Sequence, residues 1–584
     1  MPTLEWIGKD KVVNHHLDVP YRVLERQYSF DESGKHEEDN GSENMIIHGD
    51  NLDALKALLP KYEGKVKCIY IDPPYNTGNE GWVYNDNVND PRIKKWLGEV
   101  VGKEGEDLSR HDKWLCMMYP RLKLLQRLLS DDGVIFISID DTEYANLKLI
   151  CDEIFGANCF VSNISWQRTY STRNDSKGIS NEVEHIIVYS KMPNWQPNKL
   201  PRTAEMDSKY KNIDNDPLGM WRTDNAYAAD ASTHQGMVYA IQHPFTGKMI
   251  YPANGLHWRQ KQSDMLEIMN GWCNYELRDL HDEHERAIVC GLDDSEIRKD
   301  VRAIVLSDTI ENSRKKATAI LQRGQWPKYF FTKNGKGGIA KKTYLDTTNG
   351  KLPTNYWPFS DTGHTDEAKK EMLAIFDGRA TFDTPKPHRL IEFVLKIAGS
   401  DNALVLDSFA GSGTTAHAVL NMNKADGGNR KFILVEMMDY ADSITAERVK
   451  RVIDGYGTGR QAVPGTGGNF SYYELGEPLM IGDVLNENVG VDKIREYVYF
   501  TDTKSQMPEA HPDEPYFMGV HVSSAYYFYY EREAVTTLNR EFLHTVKTRA
   551  DAYVIYADLC TLSDAELEKY HITFKKIPRD ITKL

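Results

Sequence analysis

Four short apolar runs, each ending in an acid, constrain the fold of this chain more than any other feature. Met45 to His48 leads into Gly49-Asp50, Val66 to Ile71 into Asp72, Ala403 to Leu406 into Asp407, and "KFILVE" closes on Glu436. Continuous apolar runs of that length, bounded by turn residues, read as strands of a parallel sheet buried on both faces. The spacing predicts helices from about Leu52 to Leu59, over "HDKWLCMMYPRLKLLQRLL", from Thr142 to Phe155, from Lys386 to Ala398, from Thr414 to Leu420, and over "SITAERVKRVID". Further strands are expected at Gly133 to Asp140, "VSNISW" and "EHIIVYS". This alternation belongs to a mostly parallel α/β sheet, which binds its ligands at the carboxyl ends of its strands.

Neither α/β block is a complete nucleotide fold by itself. The later block supplies a glycine turn and an acidic tip; the earlier one supplies a further acidic tip and the tip at Asp72. Taken in the order later then earlier, they make one doubly wound sheet, so the expected fold is a circularly permuted α/β domain. The expected divisions are an N-terminal arm at 1–44, the half carrying Asp72 at 45–194, and an insert at 195–355. The half carrying the glycine turn follows at 356–465, then a small C-terminal α/β domain at 466–584, with "HVSSAYYFYYERE" and "DAYVIYADLC" as strands.

Two motifs carry chemistry. In Asp72-Pro73-Pro74-Tyr75 the prolines fix φ and remove two N–H donors, so the turn presents carbonyl oxygens and a carboxylate, all acceptors. Such a turn suits a group that only donates, for example an exocyclic amine, and Tyr75 can stack on a planar base flipped from its duplex. A proline turn with a buried tyrosine is the plainer alternative. "DSFAGSGTT" runs from Asp407 through Ser408, Phe409, Ala410, Gly411, Ser412, Gly413 and Thr414 to Thr415, and its glycines let a ligand approach the backbone. It matches neither G-x-G-x-x-G nor a P-loop, which excludes the usual dinucleotide and triphosphate sites. A tight strand-to-helix connection without a ligand would look similar.

A net charge of -15 argues against a nucleic-acid binder, yet it hides an uneven distribution. From Asn312 to Lys351 there are ten basic residues against one acid. Arg314, Lys315, Lys316, Arg323, Lys328, Lys341 and Lys342 are the candidate phosphate contacts, and Trp326, Tyr329, Phe330, Phe331 and Tyr344 are candidate rings for bases. A solvated loop with a few core aromatics would share that composition. The seven scattered cysteines point to reduced thiols in a cytoplasmic protein, and no apolar run reaches the roughly 18 residues of a membrane span. "HDEHE" at His281 lacks the H-E-x-x-H spacing, so no metal is expected.

"DPPYNTGN" followed downstream by "DSFAGSGTT" resembles the amino-methylating DNA methyltransferases that use S-adenosylmethionine, in the permuted order of their β class. "LEWIGKDKVVNHHLDVPY", "DKWLCMMYPRLKLLQRLLSDDGVIFISIDDTE", "TPKP" and "ITFKKIPRDI" extend the likeness to the modification subunits of Type III restriction-modification systems. The resemblance implies that Asp72 and the Pro73 carbonyl accept hydrogen bonds from the target amine while Tyr75 stacks on the base. It places the methionine part of the cofactor on Phe409 and the Asp407–Thr414 turn, between Lys386 and Pro387. It places the ribose on Glu436 and the adenine edge near Asp50. Asp before Pro-Pro-Tyr favours adenine N6 over cytosine N4, and the insert would read a site in double-stranded DNA. A homodimer and a helicase-nuclease (Res) subunit are the implied partners, in a bacterial or phage-encoded system. The rival readings are a solitary methyltransferase and a non-catalytic DNA specificity protein.

Overall fold

The protein is described from a computed structural model over residues 3–77, 95, 98–100, 110–170, 179–347, 350–509, 511 and 513–579; the last two residues of "DPPYNTGN" lie outside these. Met1–Asn198 with Pro353–Leu584 form one compact unit, and Lys199–Leu352 form another.

The first unit is built on an eleven-stranded sheet. Its strands in chain order are β1 (Arg22–Asp31), β2 (Gly34–His36), β3 (Met45–His48), β4 (Val66–Ile71), β5 (Leu129–Ile139), β6 (Phe160–Gln167), β7 (Val183–Ser190), β8 (Tyr356–Trp357), β9 (Leu404–Asp407), β10 (Lys431–Glu436) and β11 (Asn469–Pro478). Their order across the sheet is β8-β6-β7-β5-β4-β9-β10-β3-β11-β1-β2. From β5 to β11 every pair is parallel. The centre is the pairing of β4 with β9, Cys68 opposite Val405 and Ile69 opposite Leu406, which joins the two halves of the chain. Helices α1 (Asn51–Tyr62), α2 (Arg110–Leu128), α3 (Tyr144–Phe155), α4 (Thr365–Ile375), α5 (His388–Ala398), α6 (Thr414–Asp426) and α7 (Glu447–Asp454) belong to the same unit. Val66, Cys68, Ile69 and Ile71 are fully buried, as apolar strands between two helical layers must be.

Several boundaries differ from those expected. β5 starts at Leu129 rather than Gly133, because a register shift between Val66 and Cys68 lets it pair further back. α6 runs on to Asp426, where Gly427 in the left-handed region (φ 73°) ends it. The first part of "SITAERVKRVID" lies in a π-helical turn, Ala441–Ala446, ahead of α7. The arm expected at 1–44 contributes β1 and β2 to the main sheet, and β11 does the same from beyond 466. Tyr28, Ser29 and Phe30 are all buried at the end of β1, and Tyr28 stacks on Tyr472 at 5.1 Å.

C-terminal to β11, the strands Phe517–His521, Ser524–Phe528, Ala552–Ala557 and Ile572–Lys576 make a separate sheet, the last three parallel. In the second unit, Trp221, Trp258, Trp272, Tyr329, Phe330 and Phe331 share one buried core. Among the described residues, no helix is long and apolar enough to cross a membrane.

Candidate active site

β4 delivers Asp72 to the carboxyl edge of the sheet, and the prolines then fix the chain. Trp114 on α2 donates its indole N–H to the Pro74 carbonyl at 2.6 Å. Asn76 adopts φ 62°, which asparagine tolerates, and its amide donates to the buried Glu143. The Tyr75 hydroxyl lies 2.8 Å from Asp72 Oδ1 and also meets the Glu184 carboxylate. Lys386 reaches in from the segment before α5: its Nζ donates to both Asp72 oxygens at 2.7 Å and to Tyr75 Oη at 2.8 Å, and pairs with Glu184 at 3.2 Å. The ammonium also lies 5.0 Å from the centre of the Tyr75 ring. Burial raises the Asp72 carboxyl, with Glu184 adding to it and Lys386 and Tyr75 opposing it; the net shift is upward. Burial works against the Lys386 ammonium, but Asp72 and Glu184 outweigh it and raise its pKa.

The neighbouring strand β9 ends at Asp407, which accepts from Phe409 N at 3.0 Å and from Thr415 Oγ1 at 2.6 Å. Gly413 begins α6 at φ 81°, and a Cβ there would come within 2.9 Å of the Thr445 carbonyl, so the position requires glycine. Glu436 closes the turn from below, accepting from Gly411 N at 2.7 Å and Met438 N at 3.0 Å. Burial pushes Asp407 and Glu436 each up to about 7. Asp72, Lys386, Asp407, Phe409, Ala410, Gly411, Ser412 and Thr414 line one cleft.

The sequence-predicted residues do not all fall on that cleft. Asp50 caps α1 through Leu52 N at 2.8 Å and pairs with the buried Arg121 at 3.2 Å. Pro387 is the buried residue that opens α5. Glu436 is at the turn, with its two oxygens already taken by backbone donors.

In the second unit, Arg314, Lys315, Lys316 and Arg323 lie exposed on the helix Ile310–Arg323, and Lys328 is exposed nearby. Lys341 is half-buried. Lys342 is a correction to the sequence reading: it is fully buried, bonded to Asp214 at 2.6 Å, to Asp216 and to the Trp326 carbonyl. It cannot meet a phosphate there. The rings are a second correction, since Tyr329, Phe330 and Phe331 are core residues and offer no face to a base.

Sequence reasoning missed Glu184, Trp114, Trp166 and Arg448. Glu184 starts an antiparallel strand, so its amino end lies at the edge where parallel strands place their carboxyl ends. A reversed strand opening on a carboxylate was the available signal. Trp166 stands 6.0 Å from the Lys386 ammonium, and Arg448 donates to Ser412 and Thr414; neither carries a local motif.

The family model described as DNA methylase matches residues 66–447. The Type III restriction-modification enzyme StyLTI Mod subunit of Salmonella typhimurium is 34% identical over 444 residues, 71% of this chain and 58% of that protein. The EcoP15I Mod subunit of Escherichia coli is 29% identical over 504 residues, 78% of this chain and 67% of the relative. The Type II methyltransferase M.KpnI of Klebsiella pneumoniae is 30% identical over 404 residues, 68% of this chain and 81% of the relative. The chain therefore spans little more than half of the StyLTI Mod subunit and about two thirds of the EcoP15I one.

Proposed function

The chain belongs to the DNA methylase family, and from that membership we propose that it transfers a methyl group from S-adenosylmethionine to adenine N6 in a short DNA site. The observation that carries this reading is the shared cleft: an acceptor-only turn at the tip of β4 beside a glycine turn at the tip of β9. The lining suits the methyl donor. It holds a lysine for a carboxylate, a ring for the methylene chain beside the sulfonium, and glycines that admit a backbone-hugging ligand. When bound, S-adenosylmethionine supplies a methyl group already activated on a sulfonium.

The chain's own residues then have defined tasks. Asp72 and the Pro73 carbonyl accept the two N–H groups of the flipped amine, drawing its lone pair away from the ring; the Pro74 carbonyl is already held by Trp114. Tyr75 stacks on the base. Lys386 now occupies the Asp72 oxygens and lies over the Tyr75 ring, so it must withdraw as the amine arrives. Holding the reacting groups in line supplies most of the rate acceleration.

Asp72 before Pro-Pro-Tyr favours adenine, and the relatives named as Mod subunits favour a place as the modification subunit of a Type III system. Double-stranded DNA would be read by the insert, with Arg314, Lys315, Lys316, Arg323 and Lys328 on its phosphates. A homodimer, a Res partner and a cytoplasmic setting complete that reading. The test is labelled methyl transfer to genomic DNA lacking adenine methylation, with nucleoside mass spectrometry. N6-methyladenine at one motif is expected. N4-methylcytosine would overturn the base assignment, and an Asp72→Ala variant as active as its parent would overturn the site.

A further inference from the structure

A buried ionic network in the second unit braces an exposed, apolar loop. Lys211 and Trp221 exchange N–H···O bonds of 2.9 and 3.2 Å, which close the loop 212–220. Inside it, the Asn212 side chain accepts from Asp216 N at 2.7 Å and donates to the Asp216 carbonyl at 2.9 Å. The Asp214 carboxylate takes the Trp221 indole N–H and Trp326 N, both at 2.7 Å, and the Lys342 ammonium at 2.6 Å. Asp216 takes Lys342 and the Tyr344 hydroxyl, and Asp214, Asp216 and Lys342 are all buried. Such a network is often no more stable than an apolar core of the same volume. What it does fix is a shape. With both acids turned inward, Ile213, Leu218 and Met220 are left outside, 63%, 65% and 47% exposed. Single exposed apolar side chains are ordinary on a protein surface, but three on one braced loop make a ready contact.

The loop is attached to the end of the basic helix Ile310–Arg323. Gln325 N donates to the Asp214 carbonyl at 2.6 Å, and Arg323 and Lys328, on either side of that contact in the chain, are exposed. Lys209, Lys211 and Arg222 are exposed on the flanks of the loop, with the exposed Asp346 alongside Gly219. An apolar tip flanked by cations suits a polyanion that carries apolar faces between its charged strands, which is what stacked base pairs are. Ile, Leu and Met side chains serve as wedges between base steps in proteins that kink DNA.

We propose that the loop 212–220 is a wedge that enters a base step of duplex DNA through Ile213, Leu218 and Met220, while Arg323 and Lys328 hold adjoining phosphates. This rests on the proposed reading of DNA by the insert and adds how the duplex is deformed there. A step parted by a wedge is kinked and partly unstacked, so pyrimidine–purine steps, which yield most easily, are favoured without any contact to a base edge.

The test uses the full chain and a short duplex carrying the motif found by the methyl-transfer assay, with a fluorescent adenine analogue placed at each step in turn. Ile213→Ser, Leu218→Ser and Met220→Ser combined should weaken binding by about tenfold or more and abolish the rise in fluorescence that the parent gives at one step. The log–log salt slope should stay that of the parent, because no phosphate contact is removed. The urea midpoint should also stay, since all three side chains already face water. Ile213→Val, Leu218→Met and Met220→Leu combined should restore both binding and fluorescence. Undiminished binding, unchanged fluorescence, a flatter salt slope or a lowered urea midpoint in the serine variant would each overturn the wedge. Undiminished DNA binding with loss of self-association in sedimentation would assign the loop to a protein interface instead. A parent that binds DNA as well as its serine variant does leaves the DNA reading standing and removes only the wedge; a parent that binds no DNA removes both.

Discussion

Replacing Lys386 with methionine takes away the cation between two carboxylates. The ammonium is 2.7 Å from both Asp72 oxygens and 3.2 Å from Glu184 Oε1, and the three side chains are 12%, 18% and 5% exposed. Removing one partner of a buried pair costs about 3–5 kcal/mol. The slight exposure, and the freedom of Asp72 to take up a proton, put the expectation near the lower end, about 3 kcal/mol. That relief fixes the pH dependence. Burial already raises Asp72, and Lys386 is the main group opposing it, so in Lys386→Met the carboxyl pKa climbs further. A carboxyl raised in the folded state contributes stability that is complete below its unfolded pKa and is lost as pH rises through the folded value. The stability gap between parent and variant should therefore be small near pH 5 and widen towards pH 8. Urea unfolding at a series of pH values measures it, with a midpoint drop of somewhat under about 1 M at the upper end. A gap that is absent, or constant across this range, would show that Lys386 does not neutralise Asp72.

Four further outcomes are expected. Lys342→Met should destabilise the second unit by about 3–5 kcal/mol, seen by urea unfolding. Neutralising the exposed Lys315 and Lys316 should leave stability alone and flatten the log–log salt dependence of DNA binding by about 0.9 per lost phosphate contact. Gly413→Ala should cost about 1–2 kcal/mol for its left-handed φ, read from the unfolding midpoint together with weakened S-adenosylhomocysteine binding. Because Asp407 and Glu436 are both raised to about 7, the ligand-free parent should lose stability as pH rises from about 4 towards about 7 and level off above it.

The parts of this site written in consecutive residues were legible, and those created by strand pairing were not. Apolar runs and the acids at their tips are local, so β3, β4, β9 and β10 and the residues Asp72, Asp407 and Glu436 could be placed from the chain alone. "TPKP" marked Lys386 as important, but spacing cannot say that its side chain crosses to Asp72. Glu184 was hidden by the reversal of β7. The basic stretch misled because composition does not separate the faces of a hairpin. Phe330 opposite Ala340 and Tyr329 opposite Lys341 put the rings inside, while Lys342 meets two acids more than a hundred residues away in the chain.

The register of the sheet also explains how the main unit tolerates a long insert in its chain. Every pairing from β5 to β3 is made within 45–139 and 404–436, with β4 and β9 side by side, so the parallel core closes without any residue of the insert. The insert's two ends leave and return together: Leu200 and Lys351 exchange N–H···O bonds of 2.8 Å in both directions. The entropy of closing a loop grows only slowly with its length, so joining 198 to 353 through a few glycines and serines changes little for the main sheet. The chain without 199–352 should therefore fold and bind S-adenosylhomocysteine as the parent does by calorimetry, while losing methyl transfer to DNA. Loss of the binding along with the DNA activity would mean that the insert completes the cofactor half, and that the cleft between β4 and β9 is not self-sufficient.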